Sequence, residues 1–71
     1  MKTSEFFGKE VLDADAIKVG KVDDIDVDVL KGTVNSIIVK SGLIKKYVLS
    51  LDKIDKIGDK VILRIKAAEL K

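Results

Sequence analysis

The sequence predicts an all-β fold, a small sandwich or barrel, on three observations. Val, Ile and Leu supply 25 of its 71 residues, and branched side chains suit the pleated, half-buried surface of a sheet. They come in short stretches separated by turn residues, the pattern of successive short strands rather than of alternating strands and helices. The longest expected strand also changes phase halfway along, which implies a sharp bend.

The first strand is expected over Lys9–Leu12. Asp13-Ala14-Asp15-Ala16 follows as a turn, because an Asp side chain accepts bonds from nearby backbone amides. The second strand spans Lys18–Val29. In it Val22 lies on one face, whereas Ile25, Val27 and Val29 lie on the other. With a period of two, both sets can turn inward only if an extra residue interrupts the strand near Asp23–Asp24. A β-bulge there meets the need, and barrels use such bends to turn corners. Gly20, just upstream, marks the same bend or a close backbone approach. Leu30-Lys31-Gly32 makes a hairpin into a third strand, Thr33–Lys40. Ser41-Gly42 opens the next connection and Lys46–Leu51 forms the fourth strand. Leu51–Ile54 is expected to make one helical turn. Lys56-Ile57-Gly58-Asp59 then turns into a fifth strand, Lys60–Ile65. Ala67, Ala68, Glu69 and Leu70 favour a short C-terminal helix. Nothing reads as a linker, so residues 1–71 form a single domain with its core at about 4–65.

Composition excludes much chemistry. The chain has no Cys and no His, so thiolate–zinc sites, disulfides and Ser–His or Cys–His nucleophiles are outside its reach. Asp24, Asp26 and Asp28 share a strand face, but residues two apart sit nearly 7 Å from each other and do not converge on one ion. Asp13-Ala14-Asp15 opens like a calcium loop, yet the required glycine and distal Glu are not in place. Gly8-Lys9 and Gly20-Lys21 lack the spacing of a phosphate loop. The expectation is no catalytic residue, no cofactor and no metal. There is no signal-like apolar run, and no uninterrupted apolar stretch approaches the roughly 20 residues of a membrane span. The chain reads as soluble and cytoplasmic, without membrane insertion.

Charge is uneven. Residues 13–28 carry a local −4 and residues 40–71 a local +5, within a net +2. One Arg and three aromatic residues are few for a reader of nucleic acid, which uses guanidinium forks and aromatic platforms. Under an RNA-binding alternative the contacts are Lys45, Lys46, Lys53, Lys56, Lys60, Arg64 and Lys66. The apolar pair Leu43-Ile44 sits between Ser41-Gly42 and Lys45-Lys46, either as a flap over a barrel end or as an exposed contact patch. The flap is favoured, with Tyr47 serving either role and Phe6-Phe7 plugging a barrel end. A core this small nearly balances: burying a branched side chain yields about 1.5–3 kcal/mol and ordering a residue costs about 1.5 kcal/mol. Self-association is therefore expected to help.

These residues resemble the PRC-barrel family. The matching stretch runs from Ser4 through Gly8-Lys9-Glu10-Val11 and Asp13-Ala14-Asp15 to Lys18-Val19-Gly20-Lys21-Val22-Asp23-Asp24-Ile25. It resumes with Tyr47-Val48-Leu49-Ser50-Leu51-Asp52-Lys53-Ile54 and Ile57-Gly58-Asp59-Lys60-Val61-Ile62-Leu63. Two positions depart from it: Ser50 stands where the family often has proline, and Ile17 where a glycine often tightens the first hairpin. The resemblance implies a strongly bent antiparallel barrel of five to six short strands, with no cofactor and no catalytic residue. Family members serve as a domain of the photosynthetic reaction-centre H subunit and of a ribosome-maturation factor. Small stand-alone archaeal forms, some implicated in cell division, are most similar in length. The small core, the lack of catalytic chemistry and the resemblance together lead to the expectation of an adaptor that binds other proteins and self-associates, as a homodimer or larger homo-oligomer, in archaeal cell division or cytoskeletal assembly. The contact residues expected are Leu43, Ile44 and Tyr47. The alternative is a ribosome- or RNA-associated maturation factor.

Overall fold

A computed structural model describes residues 2–70. A single helical turn, α1 (Thr3–Phe6), leads into six strands: β1 (Glu10–Leu12), β2 (Lys18–Asp28), β3 (Thr33–Ser41), β4 (Lys45–Ser50), β5 (Ile54–Ile57) and β6 (Val61–Leu63). They form one sheet in the order β4-β3-β2-β1-β6-β5, curled into a half-barrel. Ten apolar residues fill its concave side, among them Val11, Val39, Val61, Ile37 and Leu63, each no more than 1% exposed.

Irregular register produces the curl. Val22 pairs with Val39 and Asp24 with Ile38, leaving Asp23 as the extra residue, where the phase conflict in the sequence demanded one. Further shifts fall at Val19, at Asn35 and at Asp55. Each bulge raises the local twist and bends its strand, so a six-stranded sheet closes around a core small enough for 71 residues to fill. Gly20 sits at a tight crossing: a Cβ there would lie 2.2 Å from the carbonyl oxygen of Lys40. Only glycine lets β2 and β3 approach so closely.

Three expectations need correction. The sheet is antiparallel except at β1 and β6, which run parallel, Val11 beside Val61 and Leu12 beside Ile62. After the β1–β4 meander the chain crosses to β5, and the β5–β6 hairpin brings it back along the free edge of β1 in the same direction. Lys56-Ile57 belongs to strand β5 rather than to a turn, and the strand expected at Lys60–Ile65 shortens to Val61–Leu63. Last, Leu43 and Ile44 are no flap. They stand in the turn between β3 and β4 at 92% and 96% exposure.

Elsewhere the expected local structure is present. Leu51–Lys53 is a 3-10 turn, and the C-terminal helix is a 3-10 turn at Ala67–Glu69. Ser50 has φ −67°, the angle a proline ring would impose, and its hydroxyl donates to the Asp52 carboxylate. Serine thus serves where the family often uses proline. The glycine missing at Ile17 is compensated one residue earlier, since Ala16 itself takes the left-handed conformation at φ 65°. Phe6 is buried in the core, whereas Phe7 is 43% exposed.

Candidate protein-contact surface

The first hairpin is built around one carboxylate. Asp13 is 1% exposed, and its Oδ1 accepts from the backbone N–H groups of Asp15 (2.9 Å) and Ile17 (2.8 Å). Its Oδ2 accepts from Ala67 N–H at 2.7 Å, 54 residues away. The Ala67 bond is the main cause that holds the Asp13 carboxyl below the usual range; burial opposes it, and the Ile17 and Asp15 bonds and nearby Lys66 add to the lowering. Both oxygens are engaged by backbone donors inside the fold, so Asp13 is structural. Asp24 and Asp26 are exposed, and Asp24 and Asp28 accept from backbone amides of Ile25 and Lys31. Among the described residues no group of acidic side chains could hold a metal ion.

Exposed apolar surface is where the fold departs from a self-sufficient domain. Leu43 and Ile44 form the tip of the β3–β4 turn; Val48, further along β4, is 69% exposed, and Val29 and Leu30 in the β2–β3 turn are 85% and 100% exposed. β4 lies at one end of the strand order, so one of its edges has unpaired backbone groups, a ready template for another chain. Tyr47 is half-buried, packs against the core, and carries the Lys45 ammonium 5.6 Å from its ring centre. Of the three expected contact residues, Leu43 and Ile44 face solvent in the turn, whereas Tyr47 lies on β4 and packs against the core.

A second apolar feature went unread in the sequence. A cavity of about 290 Å³ opens on the surface, lined by Phe6, Ile25, Val34, Ile37, Leu51 and Ile57, with Lys2 and Thr3 as its polar lining. These residues are scattered over five elements, and only the curl of the sheet assembles them. Val34, Leu51 and Ile57 are each at least 40% exposed, which supplied the one available signal: apolar residues in excess of what the small core holds.

The basic residues do not form one face. Lys46 pairs with Asp23 at 2.9 Å and holds that carboxyl below its usual range. Arg64 donates from Nε to the Ile54 carbonyl at 3.1 Å and lies 3.9 Å from Asp55. Lys66 is 4.0 Å from Asp15. Lys45, Lys46 and Lys53 border a groove beside Tyr47, whereas Lys56 and Lys60 stand exposed on and just after β5.

A family model for the PRC-barrel domain matches residues 1–70. The chain belongs to the PRC-barrel family. PRC-barrel domains are small β-barrels often involved in protein interactions, which accords with the exposed edge and turn. No match was found among curated proteins. Among the described residues of this PRC-barrel, no helix is long and apolar enough to cross a membrane.

Proposed function

We propose that this PRC-barrel is a non-enzymatic adaptor that joins other proteins and associates with itself. One observation carries the reading: an edge strand, β4, whose turn presents Leu43 and Ile44 almost fully to solvent. Leaving two adjacent branched side chains in water forgoes burial worth about 1.5–3 kcal/mol each, and a partner that covers them recovers it. Pairing at the β4 edge adds main-chain hydrogen bonds to the same contact. Cell division or cytoskeletal assembly in an archaeal cell is the setting that small stand-alone members of the family suggest.

The second reading, RNA or ribosome association, rests on the groove where Lys45, Lys46 and Lys53 meet Tyr47. It is the weaker one, because Lys46, Arg64 and Lys66 are engaged with carboxylates of the chain itself. Leu43→Asp with Ile44→Asp tests the first reading. The double variant is expected to fold, since neither side chain is buried, and to lose both self-association and the proteins retained by a tagged chain in lysate. Unchanged retention and association would sink the assignment of these residues. A nuclease-treated arm separates the readings, since RNA-dependent partners disappear from it and direct protein partners stay.

A further inference from the structure

The Leu43-Ile44 turn and the apolar cavity lie at opposite ends of β3, and a further exposed pair, Val29-Leu30, caps the β2–β3 turn at the cavity end. The Leu43-Ile44 turn follows the last residue of β3, Ser41, while Val34, near its start, borders the apolar cavity. Seven residues of strand separate Val34 from Ser41, about 23 Å, in a molecule 34 Å long. A molecule therefore cannot seat its own turn in its own cavity. A projecting apolar pair and an apolar cavity of about 290 Å³ are nonetheless complementary in kind.

Charge follows the same axis. Lys21 on β2, Lys40 on β3 and Lys46 on β4 stand directly beside one another in the register, with Lys45 next to them at the turn end. Like charges in direct cross-strand pairing destabilise a sheet, and Lys46 alone of the row has a carboxylate partner among the described residues. The other end of the β2–β3 hairpin, towards the cavity, holds Asp24, Asp26 and Asp28 against Lys31. The hairpin is thus basic at the Leu43-Ile44 end and acidic at the end with the cavity.

We propose that the occupant of the cavity is a second copy of this chain. The Leu43-Ile44 turn of one molecule enters the apolar cavity of the next, and the lysine-rich end of one hairpin meets the aspartate-rich end of the other. Two antiparallel copies fill both cavities reciprocally and close as a two-fold pair, whereas a pair that seats a single turn leaves one turn and one cavity free and grows into a ring or an open filament. This inference rests on the self-association in the reading above and specifies its geometry.

Sedimentation of the full chain over a wide concentration range tests it. Wild-type protein is expected to form a dimer or larger species, and to lose them as salt screens the charged ends. The turn variant, Leu43→Asp with Ile44→Asp, and either cavity variant, Val34→Arg or Ile57→Arg, are each expected to associate at least about 100-fold more weakly. The cavity positions are both at least 40% exposed, and circular dichroism checks that each variant folds. An equimolar mixture of the turn variant with a cavity variant is the decisive arm. Each retains the half the other lacks, so the mixture forms a heterodimer and nothing larger. A wild-type dimer indifferent to both cavity variants would refute the turn-in-cavity contact and leave the adaptor reading standing, as would a mixture that stays monomeric beside an associating wild type. A wild type monomeric at every concentration refutes self-association altogether. If its turn variant then loses binding to anionic phospholipid vesicles, lipid is what covers the turn.

Discussion

Asp13 shows how much one side chain organises in a domain this small. Its carboxylate collects three backbone donors at 2.7–2.9 Å, and bonding to the ionised form depresses its pKa. A carboxyl with a lowered folded-state pKa contributes stability above its unfolded value, ordinarily 3.8, and loses it as pH falls from there through the folded value. Wild-type protein is therefore expected to weaken below about pH 4. Asp13→Asn removes the charge and turns an NH2 group towards a backbone donor. It should lower the melting temperature near neutral pH by on the order of 10 °C and flatten the fall at acid pH. Thermal melts at a series of pH values decide it; parallel acid limbs for the two proteins would show that Asp13 is not the titrating group. The Asp turn itself was legible in the sequence, because its bonds to Asp15 and Ile17 are local. The bond to Ala67 was not, since no pattern of spacing connects residues 54 apart. Leu43 and Ile44 were ambiguous for a related reason: an apolar pair in a turn has the same sequence whether it covers a barrel end or faces water.

At the scale of elements, bulges decided what could be read. In β2, eleven residues long, enough alternation survives on either side of Asp23 for the break to show. In β5, four residues long, the bulge at Asp55 erases it. Ile54 and Ile57 then stand three apart, as in a helical turn, and Gly58-Asp59 completes the disguise. The same logic makes Gly20 the most exacting position in the β2–β3 pair. Its missing Cβ leaves room for the Lys40 carbonyl, which would otherwise sit 2.2 Å away, and that oxygen belongs to backbone and cannot rotate aside. Gly20→Ala must push β3 off β2, at a cost of about 1–3 kcal/mol. Urea unfolding measures this directly. A variant as stable as wild type would mean that the two strands separate there without loss.

At the scale of the whole molecule, closure depends on contacts that the order of elements does not announce. β1 and β6, three residues each, join the two halves of the sheet through a parallel pair. Around that seam the chain ties its ends together: Gly8 N–H donates to Val22, Ala14 N–H to Ile65, and Ala67 N–H to Asp13. Ile65, Ala67 and Leu70 pack against the core from the same tail. Ala67→Pro isolates the last of these ties. Ala67 is the first residue of its 3-10 turn, and Lys66 before it is extended, φ −88° and ψ 152°. Proline is suited to the first position of a turn and requires an extended residue before it, so the ring fits and removes a single N–H. Asp13 Oδ2 is then left buried without its shortest donor, and its pKa should rise towards the ordinary value, because the Ala67 bond is the largest cause of the lowering. Nuclear magnetic resonance titration of the Asp13 carboxyl carbon reads this shift apart from any change in melting temperature. An unmoved Asp13 pKa in a correctly folded Ala67→Pro protein would place the lowering in the Asp15 and Ile17 bonds instead. The tail would then hold the barrel by its apolar contacts alone. A raised pKa shows the first hairpin and the last turn sharing one carboxylate, which makes closure of the barrel itself dependent on pH.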